Sequence, residues 1–329
     1  MRAIVYDGAG GAEVIGLGEL PDPVVGSDDA LVAVAYAGLN RADILERMGR
    51  YPRPKDAPPI PGLEFSGVVR SVGERVTVLA PGDRVCGLVP AGAHAELVAT
   101  PAATLAKVPD RIELRDAAAI PEAFITAHDA LFTRGGFALG DTVVVHAVGS
   151  SVGLAAVALV RAGGGTAIGT SRTPDKLARA ASHGLAYGFA LDDGWVGRVL
   201  AATNARGADI VLDFVGAPIL DANIQALAAG GRIVQIGTLG GVDAKFSLAP
   251  LMAKRAALHG TVLRTRALEE RIALAKHLER ALLPLFARGD LRTEIDRVFP
   301  FTEMRAAHER MEANANFGKI VVAIGGDSR

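Results

Sequence analysis

One cysteine, Cys86, is all that the 329 residues carry, which excludes an internal disulfide and any zinc cluster built on several thiolates. It follows Gly-Asp-Arg-Val in a strand-like context and is expected to be a buried apolar thiol. Aromatic residues are scarce, 5% against an apolar total of 50%, so the core must be built from Ala, Val, Leu and Ile. Neither sign of charge predominates. The net charge of −1 lacks the basic excess that nucleic acid or an anionic membrane surface requires. No window holds the roughly 20 uninterrupted apolar residues of a membrane span. The most apolar region, 143–169, is broken by His146, Ser150, Ser151, Arg161 and several glycines. At the start, Asp7 and Gly8 fall where a secretory signal would need its apolar stretch, so a soluble, cytoplasmic protein is expected.

What is abundant is glycine, with 39 residues, suited to a turn-rich α/β chain and unsuited to a helix bundle. The segment Thr142–Arg172 reads as an apolar run (Val143, Val144, Val145), a glycine-punctuated turn, a helical stretch and a second apolar run. Strand, tight turn and helix in that order form a dinucleotide-binding unit, with Gly149 and Gly153 where backbone approaches a pyrophosphate. Ser151 stands where the usual pattern has its middle glycine, so an ordinary φ is expected there. Ser150, Ser151 and Val152 open the helix, whose amides and dipole favour an anion. An NAD site would place Asp or Glu roughly 20 residues past the glycines. This chain offers Ser171 and Arg172 instead, with Lys176 one turn on. Those residues suit a 2′-phosphate, so the expected cofactor is NADPH. Charge-assisted hydrogen bonds of roughly 1.5–3 kcal/mol each correspond to about ten- to hundredfold selection over NADH.

Residues 1–118 read as short strands separated by turn chemistry, among them Leu31–Ala37, Glu64–Val72, Arg84–Leu88 and Ala95–Thr100, which predicts a mostly antiparallel β domain. From 119 the pattern alternates, with strands expected at Thr142–Ala147, Thr166–Ser171, Gly188–Leu191, Ile210–Phe214, Arg232–Gly237 and Ala257–Leu263. The fold class is therefore α/β, with a doubly wound parallel sheet of six strands over 119–263. An amphipathic helix Arg266–Arg288, a helix Met304–Ala315 and a tail strand Lys319–Ile324 follow, and the tail returns to complete the first domain, making it 1–118 plus 264–329. Residues 325–329 are expected to fray.

Several motifs carry a family resemblance: Asn40-Arg-Ala-Asp43, Gly49-Arg-Tyr51-Pro, Pro61-Gly-Leu-Glu64-Phe-Ser-Gly67, Pro81-Gly-Asp83-Arg-Val, Ala118-Ala-Ile-Pro-Glu122, Leu212-Asp-Phe-Val-Gly216 and Asn316-Phe-Gly-Lys319. Over nearly its whole length the chain resembles the medium-chain dehydrogenase/reductases, and within them the quinone oxidoreductases of the tumour-suppressor-inducible type. The resemblance implies a GroES-like β domain around a Rossmann domain. Zinc alcohol dehydrogenases of the superfamily bind catalytic zinc through Cys where Asn40 stands and His where Leu63 stands, with a third ligand near Glu122. Asn and Leu are poor ligands, so no metal is expected. A substrate that accepts hydride without a Lewis acid, a quinone or conjugated enone, follows from that departure.

The resemblance also assigns roles. Asn40 contacts the nicotinamide side or a substrate carbonyl, Thr126 positions the nicotinamide, and Tyr51 reaches the substrate oxygen. Phe214, Gly237, Thr238 and Leu239 line the cofactor cleft, and Asn316 and Lys319 close over the nicotinamide. Leu191 replaces a usual tyrosine beside the 2′-phosphate. Arg41, Asp43, Arg47 and Glu64 are expected to form one charge network, and His94, His128 and His146 to satisfy backbone groups. The leading function is an NADPH-dependent, zinc-independent quinone reductase. A reductase of enone or 2-enal double bonds, or a non-catalytic, crystallin-like NADPH-binding protein, are the alternatives. A homodimer through the apolar edge strand 257–263 is expected.

Overall fold

A computed structural model describes residues 1–325. In chain order the strands are β1 (Arg2–Tyr6), β2 (Ile15–Glu19), β3 (Asp29–Leu39), β4 (Glu64–Val72), β5 (Arg84–Leu88), β6 (Leu97–Pro101) and β7 (Leu105–Lys107). Six more follow: β8 (Thr142–Val145), β9 (Thr166–Ser171), β10 (Tyr187–Ala190), β11 (Ala208–Asp213), β12 (Leu227–Gln235) and β13 (Ala257–Gly260). The last two are β14 (Ile295–Pro300) and β15 (Lys319–Ala323).

Two units emerge, Met1–Ile125 with the stretch from Arg264, and Thr126–Leu263. In the first, β3 alternates strictly over its opening half, with Ala30, Val32 and Val34 facing inward, and this period of two commits it to a half-buried sheet. Strand β3 is shared. It pairs with β4 along one edge, while the other edge takes β6 at its start and β15 at its end. The sheet runs β14-β15-β3-β4-β5-β7, antiparallel except for the β14–β15 pair. The tail strand thus sits inside the first unit's sheet, with Ile320 and Val322 buried in its core beside Phe65 and Phe299. Of the tail expected to fray, residues 326–329 lie outside the described residues. Gly325 is held by its amide to Ala35 O at 3.2 Å.

The second unit is a parallel sheet in the order β10-β9-β8-β11-β12-β13, the expected six-stranded doubly wound arrangement. Val143, Val144 and Val145 are fully buried, as a central strand covered on both faces demands. The topology reverses at β8, whose neighbours β9 and β11 lie on opposite sides.

Several expected boundaries move. Strand β12 begins earlier, at Leu227, and β13 stops at Gly260, so the expected edge strand 257–263 is four residues long. The helix expected over 266–288 is α-helical at Leu268–His277 and Leu283–Arg288, with a π-turn at Leu278–Leu282 between them. Pro284 explains it. A proline has no amide for the carbonyl four residues back, and the wider turn absorbs the missing bond. The helix expected to reach Ala315 ends at Glu312, and β14 is an addition to the expected strands.

Candidate functional site

In the second unit the loops at the carboxyl ends of β8, β9, β11 and β12 gather most of the residues expected to bind a nucleotide. Ser150 caps the helix Ser151–Ala162, its hydroxyl accepting the Gly153 amide at 3.0 Å. That leaves the Ser151 and Val152 amides, first-turn donors with no acceptor inside the helix, for an anion. The two glycines do different things. A Cβ at Gly153 would stand 2.8 Å from both Ala147 O and Val148 O, so this glycine lets the helix press on the strand. A Cβ at Gly149 would stand 2.8 Å from the Lys176 stem, so this one makes room for a lysine laid over the turn. Ser151 keeps an ordinary φ, and the left-handed residue of the turn is Ala147, at φ 47°.

At the end of β9, Ser171 is buried and its Oγ accepts the Thr173 amide at 3.0 Å. The next residue, Arg172, is exposed and makes no hydrogen bond or ion pair among the described residues. Across the switch point, the segments after β11 and β12 are stitched together. Leu239 N donates to Phe214 O at 3.2 Å, Gly240 N to Val215 O at 2.8 Å, and Gly237 lies against Phe214. Phe214, Gly237, Thr238 and Leu239 therefore share one wall.

A buried polar chain stands behind that wall. Asp213 Oδ1 accepts the Val215 and Gly216 amides at 2.6 and 2.9 Å, and its Oδ2 accepts Asn223 Nδ2 at 2.8 Å. Asn223 Oδ1 then lies 2.7 Å from His146 Nε2, and His146 Nδ1 lies 2.7 Å from Thr170 Oγ1. The amide orientation set by Asp213 makes Nε2 the protonated nitrogen of a neutral ring, and burial lowers the pKa of His146 accordingly. His146 thus bonds side chains rather than the backbone groups expected of it. His94 does bond backbone, with Nε2 3.4 Å from Gly38 O.

The first unit holds a second constellation. Lys319 is 2% exposed, and its ammonium lies 2.5 Å from Glu64 Oε1 and 2.7 Å from Asn40 Oδ1. Asn40 Nδ2 donates to the same Glu64 oxygen at 2.9 Å, which locks the carboxamide in one orientation. The other Glu64 oxygen accepts the Glu122 amide at 2.8 Å. Asn40 is also the cap of the helix Arg41–Arg47, where its amide donates to Asp43 Oδ2 at 2.7 Å. Asp43 Oδ1 is buried with no partner among the described residues, and burial above all pushes this carboxyl up to about 7.

Tyr51 is half-buried, with the Arg264 guanidinium 5.1 Å from its ring centroid. Arg264 is anchored by Nε to Pro90 O at 2.7 Å and by an ion pair to Glu46. Burial is the first cause that raises the pKa of the Tyr51 phenol, and Glu122 the second. On the helix Pro121–His128, Thr126 is buried and its hydroxyl has no partner among the described residues. Asn316 is occupied locally, its Nδ2 donating to Gly318 O at 3.0 Å.

The charged residues expected to form one network divide instead. Arg41 reaches Met311 O, whereas the buried Arg47 binds Gly10 O, His308 and Glu312. Glu64, with Lys319 and Asn40, belongs to the cluster above. Glu46 and Arg264 escaped the reading from sequence. The orphaned Thr126 hydroxyl, the open helix amides and the unpaired Arg172 fit a nicotinamide dinucleotide. Zinc does not fit. Where the related zinc enzymes place ligands, this chain has a carboxamide already bound to an ammonium, and a leucine. Among the described residues no group of three or more His, Cys, Asp or Glu side chains is arranged to hold a metal.

Comparisons with known proteins agree with this geometry. Residues 26–110 match the family model "Alcohol dehydrogenase GroES-like domain", and residues 188–322 match "Zinc-binding dehydrogenase". A probable quinone oxidoreductase of Schizosaccharomyces pombe is 32% identical over 311 residues, covering 92% of this chain and 91% of the relative. A solved NAD-dependent alcohol dehydrogenase has a TM-score of 0.88 at 30% identity, covering 99% of this chain and all of the other. Escherichia coli quinone oxidoreductase, solved with NADPH, also has a TM-score of 0.88, at 25% identity, covering 98% of this chain and all of the other. Against erythronolide synthase EryA2 of Saccharopolyspora erythraea, 38% identical, the match spans only 6% of that relative's length. Glycine turn, sheet order, zinc-less ligand positions and full-length likeness converge: the chain belongs to the zinc-free, pyridine-nucleotide-dependent quinone oxidoreductase family of the medium-chain dehydrogenase/reductases.

Proposed function

We propose that the protein is an NADPH-dependent quinone reductase. The observation that carries the cofactor choice is Arg172, an exposed guanidinium with no partner among the described residues at the end of β9, on the strand where an NAD enzyme would hold a carboxylate. Lys176, its stem over Gly149, adds a second cation one turn on. The Ser151 and Val152 amides would take the pyrophosphate, Ser150 and Gly153 shaping the helix end that offers them. Phe214, Gly237, Thr238 and Leu239 would line the dinucleotide, and Thr126 would meet the nicotinamide with its orphaned hydroxyl. When bound, NADPH supplies a hydride.

The choice of acceptor follows from the Lys319 cluster. One ammonium and one carboxylate at 2.5 Å nearly cancel, so this cluster offers an acceptor little net positive charge. Quinones and conjugated enones spread added charge through their π systems and need no metal. In this reading Lys319, with the locally bound Asn316 beside it, acts by holding Asn40, and Asn40 orients the nicotinamide or the acceptor carbonyl. Tyr51 donates a hydrogen bond to the acceptor oxygen. Its pinned position over Arg264 favours one second reading, reduction of an enone or 2-enal double bond. A turnover screen of quinones and enones with NADPH, run beside NADH, tests both. Quinone turnover that survives Tyr51→Phe while alkene reduction is lost would support the first reading and a minor activity of the second kind. A homodimer through β13 belongs to the same proposal, since Leu258 on that edge is 44% exposed.

A further inference from the structure

We propose that Glu122 is the catalytic acid of this site, handing its carboxyl proton to the acceptor oxygen that gains charge when hydride is delivered. The inference rests on the quinone or enone reading above and supplies the proton source which that reading lacks. Glu122 opens the helix Pro121–His128, and its backbone amide is tied to Glu64 Oε2 at 2.8 Å, so the residue has a fixed place beside the Lys319 cluster. Its side chain is partly open to solvent, and no hydrogen bond among the described residues uses its carboxyl oxygens. The nearby cations are committed elsewhere, Lys319 to Glu64 and Asn40, Arg264 to Glu46 and Pro90.

The groups that face it are Glu64 and Asp43, which raise its pKa, and Lys319 and Arg264, which lower it. Burial comes first and Glu64 next, and together they carry the carboxyl up to about 7. A group poised there can lose a proton and regain it at neutral pH. Tyr51, the other nearby donor, is raised from an already high phenolic value and keeps its proton. In the step itself, hydride brings two electrons from the dihydronicotinamide to the quinone, and an electron pair moves to the quinone oxygen. The Glu122 O–H bond breaks, the proton bonds that oxygen, and the carboxylate takes a new proton from water. The balance is quinone, dihydronicotinamide and one proton giving hydroquinone and nicotinamide cation.

Infrared spectroscopy of the cofactor-free protein should show protonated carboxyl absorption from Glu122 and Asp43 that disappears as pH rises through about 7, and Glu122→Gln should remove the Glu122 part and leave that of Asp43. With NADPH and a quinone, Glu122→Gln should lower kcat by about 100-fold and flatten the fall in rate at high pH. NADPH affinity, read by fluorescence, should not change, and Glu122→Asp should restore part of the rate. Should Glu122→Gln fail to fold, the rate and pH profile of Glu122→Asp decide, read beside Asp43→Asn to assign the wild-type band. An unchanged kcat and pH profile in Glu122→Gln, or no such band in wild type, overturns the assignment. A wild type inactive towards every quinone and enone removes the functional reading and the acid role with it, while leaving the band in place.

Discussion

Replacing Lys319 with Met would keep the stem and delete the ammonium from the Asn40–Glu64–Lys319 cluster. Both ends of the ion pair are sealed from water, with side-chain exposures of 1% and 0%. Without the ammonium, Glu64 retains two neutral donors, Asn40 Nδ2 at 2.9 Å and the Glu122 amide at 2.8 Å. Removing one partner of a buried pair costs roughly 3–5 kcal/mol, because the remaining charge is left uncompensated. The loss should be local to β4 and β15, which carry Glu64 and Lys319, and to β3, whose last residue precedes Asn40. Hydrogen exchange of those strands' amides under mild urea reads it directly and does not confuse one unit with the other. Replacing both residues, Glu64→Leu with Lys319→Met, removes the orphaned charge and should recover most of the loss, an interaction term of at least about 2 kcal/mol in the cycle. A single variant within about 1 kcal/mol of wild type, or a double variant no better than the single, would refute the buried-pair argument.

Three further outcomes follow from other parts of the molecule. Arg172→Glu should lower the ratio of kcat/KM for NADPH over NADH by about tenfold or more, and an unchanged ratio would remove the 2′-phosphate assignment. Gly153→Ala puts a methyl 2.8 Å from two backbone carbonyls, so NADPH affinity and thermal stability should fall together; a variant that matches wild type in both would contradict the close packing. Burial depresses His94 from 6.5 to about 4, so the unfolded chain binds more protons across that interval and stability is lost as pH falls through it. His94→Gln should therefore lose less stability than wild type between about pH 7 and about pH 5 in urea titrations, and parallel losses would sink the argument.

How far the sequence revealed the molecule depended on whether a signal was local. Strand β8, its turn and the helix after it were legible because hydrophobic period, glycines and the Ser150 cap all lie within thirty-one residues, Thr142–Arg172. Strand β14 was not, since Ile295-Asp-Arg-Val-Phe-Pro holds a proline and two charges, and only pairing with β15 makes it a strand. The π-turn was legible in principle, as Pro284 inside an otherwise helical pattern marks a broken bond. The polar cluster was harder. Lys319 and Glu64 meet across 255 positions, and neither neighbourhood shows that its charge is buried. The available signal was a single charge opening an apolar strand, Glu64 before Phe65 and Lys319 before Ile-Val-Val. Two such charges of opposite sign point to each other when the strands join one sheet. His146 illustrates the same limit, because its partners Thr170 and Asn223 lie 24 and 77 residues away.

That cluster also bears on why the family can dispense with a metal. A divalent ion polarises a carbonyl through charge its ligands leave uncompensated. Here the cation is an ammonium that Glu64 neutralises at hydrogen-bond distance, and its remaining contact fixes a carboxamide. Such an arrangement orients and does not polarise. Rate enhancement then has to come from alignment, from a proton available at the right moment, and from an acceptor that disperses charge by itself. Saturated ketones fail the last condition, because reduction localises the full charge on one oxygen. Conjugated acceptors meet it. On the proposed function, a preference for quinones and enones over simple carbonyls is the expected consequence of Lys319 and Glu64 being paired, and it should persist whichever dinucleotide delivers the hydride.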